Sequence, residues 1–216
     1  MQRYPAKYSD TRGEEVTTIH NDGETLRMTV RGVDFDGCTF AGLEPSTTTT
    51  PHQLQTFSIS ARGDLCNCQI ECEIPIKIQA QEEIAASLRM KLEMGKPADR
   101  GWRDKEILSL SLQYDNHEFH SEGRDDRFEE ELLDLQKQLP PGHHLKCCFG
   151  CAFSDYSPYG NGQLGMLCFR NTKEQYLAVT SKGDYWPVFA QAAGQVQEIY
   201  LCPEFEVRPP NIGYRG

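Results

Sequence analysis

Between Leu65 and Gln79 apolar and polar residues alternate: Cys66, Cys68, Ile70, Cys72, Ile74, Ile76 and Ile78 hold the even positions, while Asn67, Gln69, Glu71, Glu73 and Lys77 hold odd ones. A period of two sends the two sets to opposite faces of a strand, so this stretch predicts a long, half-buried β-strand. Phe57, Ile59 and Ala61 run in the opposite phase, which predicts a bulge or turn at Gly63-Asp64. Pro75 has no N–H for a ladder and predicts a sheet edge nearby. Leu88, Met90, Leu92 and Met94 alternate again, as do Leu108, Leu110, Leu112 and Tyr114, with turn formers between them. Together they predict an antiparallel meander, and the polar stretch 118–123 returns as a short strand. Upstream, residues 16–31 carry β-branched side chains on both sides of Asn21-Asp22-Gly23, the signature of a hairpin. Residues 44–52 have no apolar period and read as a loop.

A helical period first appears at 126–139, where Phe128, Leu132, Leu135 and Leu139 share a face and Pro140-Pro141-Gly142 ends the run. The acidic cluster at 125–131 falls on its first turns, where carboxylates complement the helix dipole. Residues 164–170 and 176–180 read as two short strands, and a second helix begins near Asp184 and Pro187 with Phe189, Ala193, Val196 and Tyr200 on its inner face. The expected fold class is therefore α+β. An antiparallel β-rich sheet or sandwich occupies the N-terminal two-thirds, with two helices from the C-terminal half packed on one side. One domain spans 1–216, with a sub-boundary near 122–126.

Composition narrows the function. Of 216 residues, 38% are hydrophobic and 25% charged, enough to fold around a core without staples. The net charge of -10, from 22 basic and 32 acidic side chains, repels a phosphate backbone and argues against nucleic-acid binding. It suits a basic protein partner. No stretch approaches the roughly 20 apolar residues of a membrane helix, and the first residues lack a secretory signal, so a cytoplasmic protein with no membrane partner is expected. In a reducing compartment the nine cysteines serve better as core residues and metal ligands than as a disulfide framework.

The sharpest chemistry is Cys148-Phe-Gly-Cys151, followed by Cys168 and Cys202. A two-residue gap containing glycine can fold as a knuckle that aims two thiolates at one ion, and four thiolates complete a structural zinc shell. A competing alternation of Leu145, Cys147, Phe149, Cys151 and Phe153 would instead make a strand and point Cys148 and Cys151 to opposite faces. Both readings stand at this level. Cys66, Cys68 and Cys72 share a face with isoleucines and are expected to pack, although Cys66 and Cys68 also suit a metal pair. A second candidate is the loop 154–162, whose Asp155, Tyr156, Ser157 and Tyr159 offer stacking surfaces and hydrogen bonds to a ligand or partner. His143 and His144 with Asp155 make a zinc-dependent hydrolase the alternative function, and the tyrosine loop allows a small-molecule sensor. The phosphate-loop, nucleophile-elbow, His-Glu-x-x-His and dinucleotide fingerprints are missing.

Asp64-Leu-Cys-Asn-Cys68, Cys148-Phe-Gly-Cys-Ala-Phe-Ser-Asp-Tyr-Ser-Pro-Tyr-Gly160, Tyr200-Leu-Cys-Pro-Glu-Phe205 and the ending Gly213-Tyr-Arg-Gly216 resemble a functionally uncharacterised family of small bacterial proteins. The likeness covers most of the chain from Gly23 onward, and the Ser-Asp-Tyr-Ser-Pro-Tyr-Gly run is its most specific part. It implies a single bacterial cytosolic domain and brings no activity. With the acidic charge, it leads to a non-catalytic binding protein carrying structural zinc, in its concrete form an immunity-type protein that neutralises a basic toxin.

Overall fold

Tight turns whose backbone only a few sequences accept set up the first strands. β1 (Gln2–Asp10) and β2 (Gly13–Asn21) pair antiparallel, with Gly13 at φ +128 just past the turn and Asp10 accepting the Arg12 N–H. β3 (Leu26–Val30) and β4 (Val33–Gly37) meet across Arg31-Gly32, both with positive φ, the type I′ geometry that matches strand twist. Arginine at such a position is held from outside: its guanidinium makes two 2.7 Å bonds to Asp10, and Glu15 accepts its backbone N–H. β5 (Glu44–Pro45), a single helical turn α1 (Pro51–Leu54), and the two-residue strands β6 (Ser58–Ile59) and β7 (Leu65–Cys66) follow.

The computed structural model describes residues 1–98, 103–124, 127–157 and 166–209. The chain divides into two compact units, one of Met1–Pro75 with Ser87–Gln138 and one of Ile76–Ala86 with Leu139–Gly216. β8 (Cys68–Gln79), β9 (Glu83–Met94), β10 (Glu106–Tyr114) and β11 (His117–His120) extend the sheet to the order β11-β10-β9-β8-β1-β2-β3-β4-β5. The alternation read from the sequence is the burial pattern observed: Cys68, Ile70, Cys72 and Ile74 on β8, Leu88, Met90, Leu92 and Met94 on β9, and Leu108, Leu110 and Leu112 on β10 are all buried. Each fully buried aliphatic side chain contributes about 1.5–3 kcal/mol. Cross-strand neighbours Tyr4, Ile19, Met28 and Phe35 form one core row, and Phe57 packs edge-on against Phe35 and Tyr8.

Pro75 has a clear place. β8 pairs with β1 only as far as Cys72, and its pairing with residues 144–146 begins at Lys77, so the proline falls in neither register. α2 (Phe128–Gln138) packs on β10 and β11. Its acidic first turn is partly structural: Glu131 is fully buried and accepts the Gly123 and Arg124 backbone N–H groups at 2.8 and 3.0 Å. Asp125 and Asp126 of that cluster lie outside the described residues.

In the second unit β12 (His144–Lys146) pairs with the end of β8, and a 3-10 turn (Cys148–Gly150) leads into β13 (Ser154–Tyr156). β13, β14 (Met166–Cys168) and β15 (Gly194–Val196) make a small antiparallel sheet, with α3 (Lys173–Leu177) and α4 (Lys182–Phe189) between the last two. Two expectations are corrected here. Residues 173–177 form a helix where a strand over 176–180 was expected, because Tyr176 and Val179 are buried while Leu177 and Ala178 are exposed, a spacing of three that a strand cannot satisfy. The second helix stops at Phe189, well short of Tyr200: Pro187 lies inside it, and residues 194–196 are taken as the strand that completes β14. The N-terminal strand β1 was not foreseen: Tyr4, Ala6 and Tyr8 alternate with Arg3, Pro5 and Lys7, but Pro5 argues against a strand interior. Among the described residues no helix is long and apolar enough to cross a membrane.

Candidate functional site

The second unit gathers its cysteines through backbone bonds. The 3-10 turn is held to the segment after β15, with Cys148 N–H donating to the Tyr200 carbonyl at 3.1 Å and Phe149 N–H to Glu198 at 2.9 Å. Cys151 is bridged to Val207, and Ala152 N–H donates to Glu206 at 2.8 Å. Gly150 makes the turn feasible, because a Cβ there would lie 2.6 Å from the Leu145 carbonyl oxygen. The chain turns between Cys148 and Cys151 and is not a continuous strand there.

All four predicted ligands, Cys148, Cys151, Cys168 and Cys202, are buried. Cys148 and Cys202 share a side-chain hydrogen bond. Cys147, outside the predicted ligand set, is buried in the same turn, and its backbone carbonyl accepts the Gly150 N–H at 3.0 Å. The Arg170 N–H reaches the Cys168 sulfur and the Glu204 N–H reaches Cys202, each from two residues downstream. Such N–H donors stabilise a thiolate.

The electrostatics divide the cluster. The hydrogen bond from Cys148, helped by the Glu204 N–H and the Arg170 charge and opposed by burial, lowers Cys202 to about 6. Its donor Cys148 is pushed strongly up, first by that same bond and then by burial. Burial pushes Cys147 up to about 12 and also raises Cys168. Among the described residues, no three His, Cys, Asp or Glu side chains stand in position to hold a metal ion.

The loop candidates divide as well. Asp155 is 1% exposed and accepts the Tyr176 hydroxyl at 2.6 Å. Arg208 donates to that same hydroxyl at 3.0 Å and to the Ser154 carbonyl. Burial, and then the Asp155 charge, raise the Tyr176 phenol. Tyr156 donates to Glu198 at 3.2 Å, and the Ser154 hydroxyl donates to the Cys148 carbonyl. Asp155 and Tyr156 thus brace the cysteine turn. Ser157 follows them, and Tyr159 lies outside the described residues, as does the ending 213–216. His143 sits in the turn before β12 with Nδ1 3.3 Å from the Pro141 carbonyl oxygen, and His144 pairs with Gln79 in β12.

In the first unit Cys66, Cys68 and Cys72 are buried, and burial raises all three, Cys68 to about 12. The negative charge is concentrated there. Fifteen basic and 24 acidic side chains give the first unit -9, whereas seven basic and eight acidic give the second -1.

A family of unknown function, DUF6304, matches residues 2–154. The chain belongs to that family. Its match takes in Cys148 and Cys151 and stops at Ser154, before the rest of the Ser-Asp-Tyr-Ser-Pro-Tyr-Gly run and before Cys168 and Cys202. No curated protein and no solved structure is detectably similar to the chain.

Proposed function

We infer that the protein is a non-catalytic binding protein whose second unit is pinned by one structural zinc ion held by Cys148, Cys151, Cys168 and Cys202. Convergence carries this reading: the Cys148 N–H bonds the Tyr200 carbonyl at 3.1 Å, two residues before Cys202, and Ser154, three residues after Cys151, pairs with Cys168. Crowded thiols without a cation oppose one another's ionisation. A divalent ion reverses that logic, since coordinating thiols are deprotonated outright. The side chains do not yet form a shell. In this reading Cys151 and Cys168 turn onto the Cys148–Cys202 pair as metal enters, and four soft sulfur donors favour tetrahedral zinc. A shell filled by protein ligands leaves no position for a reactive water, so the ion ties segments together and does no chemistry.

The binding role falls to the first unit, whose charge of -9 favours a basic protein partner, as expected of an immunity-type protein of a bacterial cytoplasm. Protein purified without chelator should carry one zinc per chain. Serine at any of the four ligands should abolish stoichiometric zinc, and alanine at Cys66, Cys68 or Cys72 should not. Full zinc retention in the Cys148→Ser, Cys202→Ser double variant would overturn the assignment. A partner captured at low salt should be basic and released near 0.5 M salt, where screening shrinks to a few ångströms, about 4 Å.

A further inference from the structure

We propose that the outer edge of β11 is a dimerisation edge, on which a second copy of this chain lays its own β11 antiparallel, with Phe119 opposite Phe119. β11 ends the sheet, and among the described residues no strand pairs with its outer side. The ladder shows which groups face outward. Ser121 N–H donates to the Leu110 carbonyl at 2.9 Å, continuing the register that sets His120 opposite Ser111. Bonded and non-bonded pairs alternate along an antiparallel ladder, so Leu112–Phe119 and Tyr114–His117 are the bonded pairs, whereas Glu118 and His120 aim their N–H and carbonyl groups away from β10. The turn agrees with this phase. Asp115 and Asn116, at φ 49 and 61, form a two-residue type I′ loop between Tyr114 and His117.

Charge selects the occupant and the register. An incoming edge must set outward-facing residues opposite outward-facing residues. Glu118 opposite Glu118 would face two carboxylates, and His120 opposite His120 would set Glu118 against Glu122. Glu118 opposite His120 instead puts a carboxylate against an imidazole on both sides of the two-fold axis, with the Phe119 rings meeting on it. Each Glu118 and the His120 it faces then exchange both backbone bonds. The side chains are available for this: Glu118 and His120 are 44% and 64% exposed on one face of β11, and at 3.9 Å they do not hydrogen-bond each other. Half-buried Phe119 lies on the other face, opposite Leu112 and stacked on His117. The His120 carbonyl accepts the Gln138 amide at 2.8 Å and keeps a second lone pair for the incoming N–H. A short, charged edge resists indiscriminate pairing, and the self-complementary order Glu-Phe-His admits this chain's own copy. The pairing uses no cysteine and nothing of the second unit, so it stands apart from the zinc reading.

Sedimentation velocity of the full chain, in about 0.15 M salt to screen the net charge of -10, should show the mass rising with concentration from 24.5 kDa toward twice that value. Glu118→Pro removes an outward N–H while leaving the β10 ladder intact, and should stay at 24.5 kDa throughout. Glu118→Lys replaces the carboxylate facing the imidazole with an ammonium and should weaken association about tenfold. Adding His120→Glu to Glu118→Lys exchanges the two charges and should restore association. In concentrated protein the Glu118 and His120 amides should exchange with solvent more slowly than in dilute protein. A chain still monomeric at about 1 mM, a dimer that survives Glu118→Pro, a double variant no tighter than Glu118→Lys, or slowed exchange that spares these two amides would overturn the proposal.

Discussion

Replacing Tyr176 with phenylalanine isolates one hydroxyl at the base of the cysteine knuckle. The ring stays, and with it the stack on Phe169 at 4.5 Å and an interplanar angle of 3°. What goes is the donor to Asp155 at 2.6 Å and the acceptor for Arg208 at 3.0 Å, the first partner only 1% exposed. A hydrogen bond to a charged group contributes about 1.5–3 kcal/mol. With a urea slope of about 2 kcal/mol per molar, the midpoint should fall by roughly 0.8–1.5 M with an unchanged slope. Trp186 fluorescence in a Trp102→Phe background reports the second unit. The double variant Tyr176→Phe, Asp155→Asn should lose less than the sum of the singles, because the two groups act on each other. A midpoint shift below about 0.3 M, well under the hydrogen-bond range, would refute the claim that this buried network braces the turn.

Three further outcomes follow from the same geometry. Gly150→Ala drives a Cβ to 2.6 Å from the Leu145 carbonyl oxygen and should cost about 1–3 kcal/mol, whereas Gly183→Ala in α4, with only the Ser181 hydroxyl at 3.7 Å, should stabilise by about 0.4–1 kcal/mol; paired urea curves check both. Ultraviolet thiolate absorbance of metal-free protein should show a step near pH 6 that Cys202→Ser removes, and the absence of any step below about pH 8 in the parent protein would contradict the Cys148–Cys202 bond. The sign for stability is fixed by the lowered value: the Cys202 contribution is full above the ordinary thiol range and is lost as pH falls through about 6, while raised Cys148 contributes below that range and loses its share at higher pH.

The long strands were legible because each buries one face, so burial and sequence share a period of two from β8 to β10. The turn at Asn21-Asp22-Gly23 and the end of α2 were legible from local chemistry. What stayed hidden was decided by tertiary partners. Tyr176, Leu177, Ala178 and Val179 look like a strand until Phe169 and Asp155 claim Tyr176, and residues 194–196 carry a helix-compatible pattern until β14 needs an edge. The cysteine spacing at 148 and 151, with Gly150 between, marked a turn, but no local rule showed that Asp155 would be bonded to Tyr176 in the interior.

X-ray absorption at the zinc edge of the purified full chain tests the central claim most directly. The account predicts one ion with four sulfur neighbours at about 2.3 Å and no oxygen or nitrogen in the shell. A first shell containing nitrogen or oxygen, or a protein that takes up no zinc while its cysteines remain reduced, would contradict it.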